Sequence, residues 1–188
     1  MGKLSPMDSE IQTERLHLKE ITWKHLRQIH DLQSLPEVDR YNTLGIPKTI
    51  EDTKNVLRPY IEDQDNLARK QFCWNIFLKP EELFIGIAGM ILTADRFRMG
   101  EIYYNILPEY WGKGFATETA KSLIKFGFSV IKLHRIEAGV STENLRSIRV
   151  LEKSGMKREG VRRKILPIRG EWKDNYHYAI LEDDKIDF

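Results

Sequence analysis

Cysteine is almost missing from this chain: Cys73 is the one thiol in 188 residues. No disulfide can form within it, and a reducing compartment suits it. Cys73 stands in the strand-like run "FCWNIFL" with no base close by in sequence, which reads as a buried inert thiol and not a nucleophile. Long apolar runs are absent, and nothing approaches the roughly 20 residues that a membrane-crossing helix requires. The five histidines lack H-E-x-x-H or any comparable ligand spacing, so no metal is expected. A net charge of +2 has no excess of either sign that would demand nucleic acid or an anionic membrane. Repeats, low-complexity tracts and linkers are missing too. The opening stretch "MGKLSPMDSEIQTE" has no apolar core of signal-peptide length, and Pro6 breaks the N-myristoylation pattern. A cytoplasmic protein is expected.

What is present is an ordinary soluble balance, 41% hydrophobic and 31% charged, in a chain long enough to bury a core. One domain spanning 1–188 is expected, with its core at about 13–181. "TERLHLKEI" reads as a first strand, and "WKHLRQIHDLQSL" repeats Leu26, Ile29 and Leu32 or Gln33 near helical spacing up to Pro36. "TIEDTKNVLRPYIEDQ" predicts a second helix, with Thr49 as its N-cap and a kink or break at Pro59. "QFCWNIFL" and "LFIGIAGMIL", parted by "KPEE", predict adjacent strands. "EIYYNIL" is a third, with Glu101, Tyr103 and Asn105 on one face and Ile102, Tyr104 and Ile106 on the other. A helical face follows in Ala116, Ala120, Leu123, Ile124, Phe128 and Ile131. "RIEAGVS" predicts another strand, Asn144 caps a helix that stops at Gly155, and the tail reads as two strands joined through "IRGE". This order implies an α/β or α+β domain with a mixed sheet.

The stretch "PEYWGKGFATETA", residues 108–120, puts two glycines and a lysine at the mouth of a helix. Glycine admits positive φ and lets a ligand approach the main chain. A helix start offers unpaired N–H groups and the positive end of a dipole, which attract phosphate. Taken alone, the stretch fits either a phosphate site or a Gly-rich turn before a surface helix. It is not a P-loop, because Gly114 and not Ser or Thr follows Lys113. It is not a dinucleotide fingerprint, because the third glycine is missing and the strand ends too far ahead of Gly112. The remaining pattern suits a pyrophosphate held mostly by main-chain N–H groups, with Lys113 adding charge at the rim.

Four stretches in order resemble the GNAT superfamily of N-acetyltransferases, and within it the ribosomal-protein N-terminal acetyltransferase (RimJ/RimL-like) subgroup. They are "TERLHL", "EIYYNILPEYWGKGFATETAKSLIKFGF", "STENLRSIRVLEKSGMKREG" and "GEWKDNYHYAIL". The resemblance implies a GNAT fold, a twisted and mostly antiparallel sheet of about seven strands flanked by about four helices. It implies acetyl-CoA as cosubstrate, no metal, and direct transfer to an amine without a covalent enzyme intermediate. It places Trp111, Gly112, Lys113, Gly114, Phe115, Ala116 and Thr117 around the CoA pyrophosphate. Asn105, Ile106 and Leu107 would pair with the pantetheine arm like an added strand. Asn144 would contact that arm, and Ser147 would face the CoA sulfur. Read from the residues alone, Asn144 is equally a helix cap and Ser147 a member of a capping box. Two departures stand out: Trp111 where the superfamily often has Gln or Arg, and Leu151 where many relatives place a tyrosine. Ser147, a water or Tyr103 remain as proton sources for the departing thiolate, which needs little help with a thiol pKa of about 8.5.

An amine attacks only when neutral. At pH 7 a peptide α-amine needs about one unit of help, whereas a lysine or polyamine amine needs roughly 3.4 units, or about 4.6 kcal/mol. Glu101 is the carboxylate on a central strand that could bind or deprotonate the amine, directly or through water; it could equally be a strand-end surface charge. The acidic stretch "IEDTKNVLRPYIEDQD" could welcome a cationic peptide or aminoglycoside, or be a solvated face. The acceptor is thus expected to be a small-molecule or peptide amine, ribosomal-protein N-termini included. No nucleic-acid or membrane partner is expected, and the protein would be a monomer or homodimer. The alternative is a catalytically silent acetyl-CoA-binding regulator.

Overall fold

The computed structural model describes residues 9–184, so Pro6 and the myristoylation reading lie outside the described residues. Strands β1 (Ile11–Gln12), β2 (Leu16–Glu20), β3 (Gln71–Leu78), β4 (Leu83–Leu92), β5 (Met99–Ile106), β6 (Arg135–Ser141), β7 (Lys157–Ile168) and β8 (Glu171–Leu181) form one sheet. Its order is β1-β2-β3-β4-β5-β6-β8-β7. Helices α1 (Leu26–Gln33), α2 (Pro36–Asp39) and α3 (Ile50–Glu62) lie between β2 and β3. Helix α4 (Phe115–Ser129) joins β5 to β6, and α5 (Leu145–Lys153) joins β6 to β7. Among the described strands, β5 and β6 alone are parallel neighbours. The expected mixed sheet is there, with eight strands and five α-helices among the described residues in place of about seven and four. The additions, β1 and α2, are too short to leave a periodic signal.

Local chemistry explains most boundaries. Thr49 caps α3 in a capping box, taking Asp52 N while the Asp52 carboxylate takes the Thr49 amide. Pro59 does not break that helix, which runs on to Glu62. Asn55, whose carbonyl the proline leaves without a donor, is exposed like Pro59 itself and so is open to solvent. Arg169 and Gly170, at φ +50° and +80°, make the tight turn between β7 and β8. The apolar face of α4 differs from the expected one: Phe126 is buried while Phe128 is only partly so, and Ile131 lies beyond the helix. Phe126 is drawn in by Phe72 and Trp74, whose rings stack at 5.6 Å, with Phe126 edge-on to Trp74 at 5.2 Å.

The sheet separates two cores. On one face α4 and α5 pack over Phe72, Trp74, Ile76, Met90, Ile102 and Ile136. On the other, α1 and α3 bury Ile29, Leu32 and Leu57 against Cys73, Phe77 and Ile87. Cys73, Gly89 and Tyr103 lie in one cross-strand row on this second face. A Cβ at Gly89 would fall inside the Tyr103 ring, so the glycine is what lets the phenol lie across β4 toward Cys73 and Tyr60. Burial pushes the Cys73 thiol up to about 12, which keeps it protonated and inert. No helix among the described residues is long and apolar enough to cross a membrane.

Gly89→Ala is expected to cost about 1–3 kcal/mol by overpacking, and most of that cost should vanish in a Tyr103→Ala background. Urea denaturation of the four variants reads the coupling. An equal cost in both backgrounds would show that the ring is not what the glycine accommodates.

Candidate active site

The parallel pairing of β5 with β6 covers only Met99–Glu101 against Arg135–Glu137. Beyond it β5 stays with β4 through Ile106, while β6 stays with β8 through Ser141. The two strands diverge and leave a gap inside the sheet. Leu107 N bonds Ile85 O at 2.9 Å, and the Asn105 carbonyl lies against Gly86 of β4. Strand alternation therefore turns the main-chain groups of Asn105 and Leu107 toward β4, and those of Tyr104 and Ile106 toward the gap. Of the expected trio Asn105, Ile106 and Leu107, only Ile106 offers its main chain to the gap. Tyr104, which the sequence places on the same face as Ile102 and Ile106 without a role, offers its own. The Trp111 indole donates to Ile106 O at 2.6 Å, and its ring packs against both cores beneath the Arg146 guanidinium, 4.9 Å from the centroid.

At the end of β5 the chain makes a single 3-10 turn, Pro108–Tyr110, and reaches the glycine loop. Gly112 (φ +76°) faces open space, and Gly114 (φ +84°) holds the N-cap position of α4 with no side-chain cap. The first-turn N–H groups of α4 are thus left to a ligand or to water. Phe115 is buried, Ala116 and Thr117 are half-buried, and Lys113 Nζ stands 5.3 Å from the Tyr110 ring centroid. Arg15 fixes the loop from outside. Its Nη1 donates to Lys113 O at 3.1 Å, its Nε and Nη2 reach Glu118 Oε2 at 2.7 and 2.6 Å, and its guanidinium lies 4.5 Å from the Phe115 centroid. Glu118 also takes Thr13 Oγ1 at 2.5 Å and Arg15 N at 3.0 Å. Burial would raise the Glu118 carboxyl, but these donors together hold it below its usual value. The Thr-x-Arg of "TERLHL", read only as strand, is this anchor.

On the α4/α5 face, Asn144 Oδ1 accepts from Ser147 N at 3.2 Å, so the cap reading of Asn144 is realised and its Nδ2 is left over. The Ser147 hydroxyl, in the first turn of α5, lies close enough to the Tyr104 phenol of β5 to influence it. Burial pushes the Tyr104 phenol up to about 12. Leu151 is deep in the core. Tyr103 is not brought to the gap: its hydroxyl turns across Gly89 to Cys73 and Tyr60, and burial raises its phenol well above the usual value.

On the opposite face, Glu101 is exposed at the vertex of the divergence, beside Glu137. Glu137 is engaged, accepting from Arg135 Nε at 2.7 Å and standing 3.2 Å from His177 Nε2. Burial would raise its carboxyl, but Arg135 and His177 outweigh that and hold it low. Glu101 has no hydrogen-bond or ion-pair partner among the described residues. No cluster of His, Cys, Asp or Glu among them could hold a metal ion.

A strand pair opened beside a glycine loop at a helix start is one architecture, and residues 15–157 match the family model described as an acetyltransferase (GNAT) domain. The chain belongs to the GNAT acetyltransferase family. It is 32% identical over 176 residues to the uncharacterized N-acetyltransferase YnaD of Bacillus subtilis, covering 93% of this chain and 98% of that protein. It is 25% identical over 165 residues to spermidine N(1)-acetyltransferase of Escherichia coli, covering 88% of this chain and 85% of that one. The crystal structure of ribosomal-protein-S5-alanine acetyltransferase from Vibrio fischeri superposes with a TM-score of 0.80 at 25% identity, covering 93% and 97% of the two chains.

Gly114→Val tests the loop of this GNAT chain. Valine rarely adopts positive φ, so the loop should distort and acetyl-CoA affinity should fall by about tenfold or more, while the fold survives. Unchanged calorimetric affinity in a folded variant would detach the loop from the cosubstrate.

Proposed function

We propose that this chain transfers the acetyl group of acetyl-CoA directly to a primary amine, with the gap between β5 and β6 as the place of reaction. The observation that carries this reading is the gap itself, bordered by the main-chain groups of Tyr104 and the Ile106 N–H, which β4 and β6 leave unpaired, and followed along the chain by the uncapped start of α4. The residues fit the cosubstrate. Gly112 and Gly114 leave space for a pyrophosphate to reach the N–H groups of Phe115, Ala116 and Thr117, with Lys113 at the rim. Tyr104 and the Ile106 N–H can pair with the amides of an extended arm, and the spare Nδ2 of Asn144 can donate to it. When bound, acetyl-CoA supplies the thioester carbonyl carbon.

Glu101 receives the proton of the incoming ammonium, directly or through one water, so that the neutral nitrogen can attack. The new bond is N–C, the bond that breaks is C–S, and the sulfur leaves with the electron pair. Ser147, backed by Tyr104, is the hydroxyl on the far side of the gap. A phenol at about 12 stays protonated at neutral pH, so the pair can donate a hydrogen bond or a proton to the departing sulfur. This does the work assigned elsewhere in the family to a tyrosine where Leu151 stands. The orientation of Tyr103 speaks against its taking part.

The named relatives act on spermidine and on ribosomal protein S5, which supports a primary amine as the acceptor without choosing between small molecule and protein N-terminus. A cytoplasmic site of action fits acetyl-CoA and the free Cys73. The rival, a regulator that binds acetyl-CoA without turning it over, draws on Leu151.

Intact-mass analysis of a panel of primary amines with acetyl-CoA should reveal acetylated products. With an acceptor so found, Glu101→Gln should leave acetyl-CoA affinity unchanged and lower the rate at pH 7 by about 10²-fold. The loss should shrink as pH rises toward the acceptor's own pKa. A pH–rate profile overlaying the wild type removes Glu101 from the mechanism, and acetyl-CoA binding without consumption across the panel favours the regulator.

A further inference from the structure

At the end of the sheet opposite the glycine loop, where β3 and β5 begin and β4 ends, there is a cavity of about 360 Å³. It opens between the segment that joins α3 to β3 and the chain leading into β6. Leu67, Ala68, Leu92, Met99, Ile131 and Leu133 supply apolar walls. No residue of the glycine loop, of α5 or of β5 beyond Met99 lines it. Arg69 belongs to the same wall. Its side chain is 9% exposed and lies over the Phe72 ring, 4.0 Å from the centroid. Nε donates to Gln71 O at 2.9 Å and Nη1 to Glu20, but Nη2 is buried with no acceptor. Buried polar groups in folded proteins are nearly always hydrogen-bonded, so a guanidinium with an unused arm asks for a reason.

The other polar groups of the wall are engaged. Gln64 Nε2 donates to Ile21 O at 2.9 Å, Thr93 Oγ1 to Met99 O at 3.1 Å, and Asn66 is tied to Asp63 and to Ala68 N. The charges also pair off: Arg69 with Glu20, Lys70 with Asp95, and Arg98 with Glu182. Lys132, on the rim, has no hydrogen-bond or ion-pair partner among the described residues. One uncompensated positive charge and one unfilled donor therefore accompany apolar walls. A phosphate dianion carries more charge than these two groups can satisfy, and its desolvation beside leucines is costly. A neutral carbonyl would fill the donor and leave the ammonium uncompensated. A carboxylate with an aliphatic tail answers the donor, the charge and the walls together.

We propose that this cavity is a second ligand site, separate from the gap, that takes a small aliphatic monocarboxylate. One carboxylate oxygen accepts from Arg69 Nη2, the Lys132 ammonium balances the charge, and the tail lies on Leu67, Leu92, Met99 and Leu133. The site stands whether or not the gap is a place of acetyl transfer.

The test titrates hexanoate, hexanamide, hexylamine and acetate into the protein saturated with acetyl-CoA, following side-chain methyl resonances by NMR. Hexanoate should saturate and shift the methyls of Leu67, Leu92, Met99, Ile131 and Leu133. It should bind about tenfold or more tightly than acetate, which lacks the tail, and than hexylamine, which lacks the acceptor. Lys132→Asn, which suits the φ of +63° at this position, should weaken hexanoate about fivefold and leave hexanamide within about twofold. Arg69→Met should weaken both by about fivefold to tenfold, the loss of one donor. That change leaves Glu20 without its partner, so Leu67→Glu, at a position 71% exposed, serves where Arg69→Met does not fold. The new carboxylate on the wall should weaken hexanoate about tenfold and spare hexanamide. Absence of saturable shifts at these methyls, shifts at Ile106 or Ala116 in their place, or hexylamine binding as tightly as hexanoate would overturn the site. So would an unchanged hexanoate affinity in Leu67→Glu.

Discussion

Everything in the site depends on β5 and β6 parting after Glu101 and Glu137. Two strands that pair and then separate leave main-chain donors and acceptors without partners inside a sheet, a costly arrangement unless something fills it. Here each strand is held away from the other by its outer neighbour. β5 is drawn to β4 through Ile106, where Gly86 admits the Asn105 carbonyl at close quarters. β6 is paired with β8 along its whole length. Trp111 stands at the open end, bridging both cores and occupying the Ile106 carbonyl. The gap is therefore built into the packing and needs no ligand to hold it open.

The divergence also divides the chemistry between two faces. Under the gap, the hydroxyls of Tyr104 on β5 and Ser147 on α5 lie near one another. Over it, Glu101 and Gly139 are exposed, and the buried Asn175 amide lies against Gly139. A reaction in which one partner gives up a proton and the other gains one suits such a division. The glycine loop stands beside both, and the Arg15–Glu118 tie fixes its position relative to the first strands, so that Gly112 and Gly114 can be conformationally permissive without being loose.

How much of this was legible in the sequence depended on the range of the interaction. The two faces of "EIYYNIL" followed from alternation alone, and the glycine loop followed from the spacing of Gly112 and Gly114 before a helical pattern. Thr49 as a cap and Arg169-Gly170 as a turn are equally local. Pro59 misled because the break it threatens depends on whether the orphaned carbonyl is buried, and Asn55 is not. Tyr103 misled because its ring is steered by the absence of a side chain at Gly89, on another strand. Tyr104 with Ser147, and Asn175 over Gly139, join positions far apart in the chain. No periodicity marks them, and only the register of β4, β5, β6 and β8 brings them together.

The central claim, that the opened edge of β5 receives the arm of acetyl-CoA, is tested most directly by amide hydrogen exchange resolved at single residues. With saturating acetyl-CoA the Tyr104 amide, which faces the gap, should exchange about tenfold more slowly or better. The Tyr103 and Asn105 amides, turned to β4, should change little. Unaltered exchange at Tyr104 in the saturated protein would contradict the account.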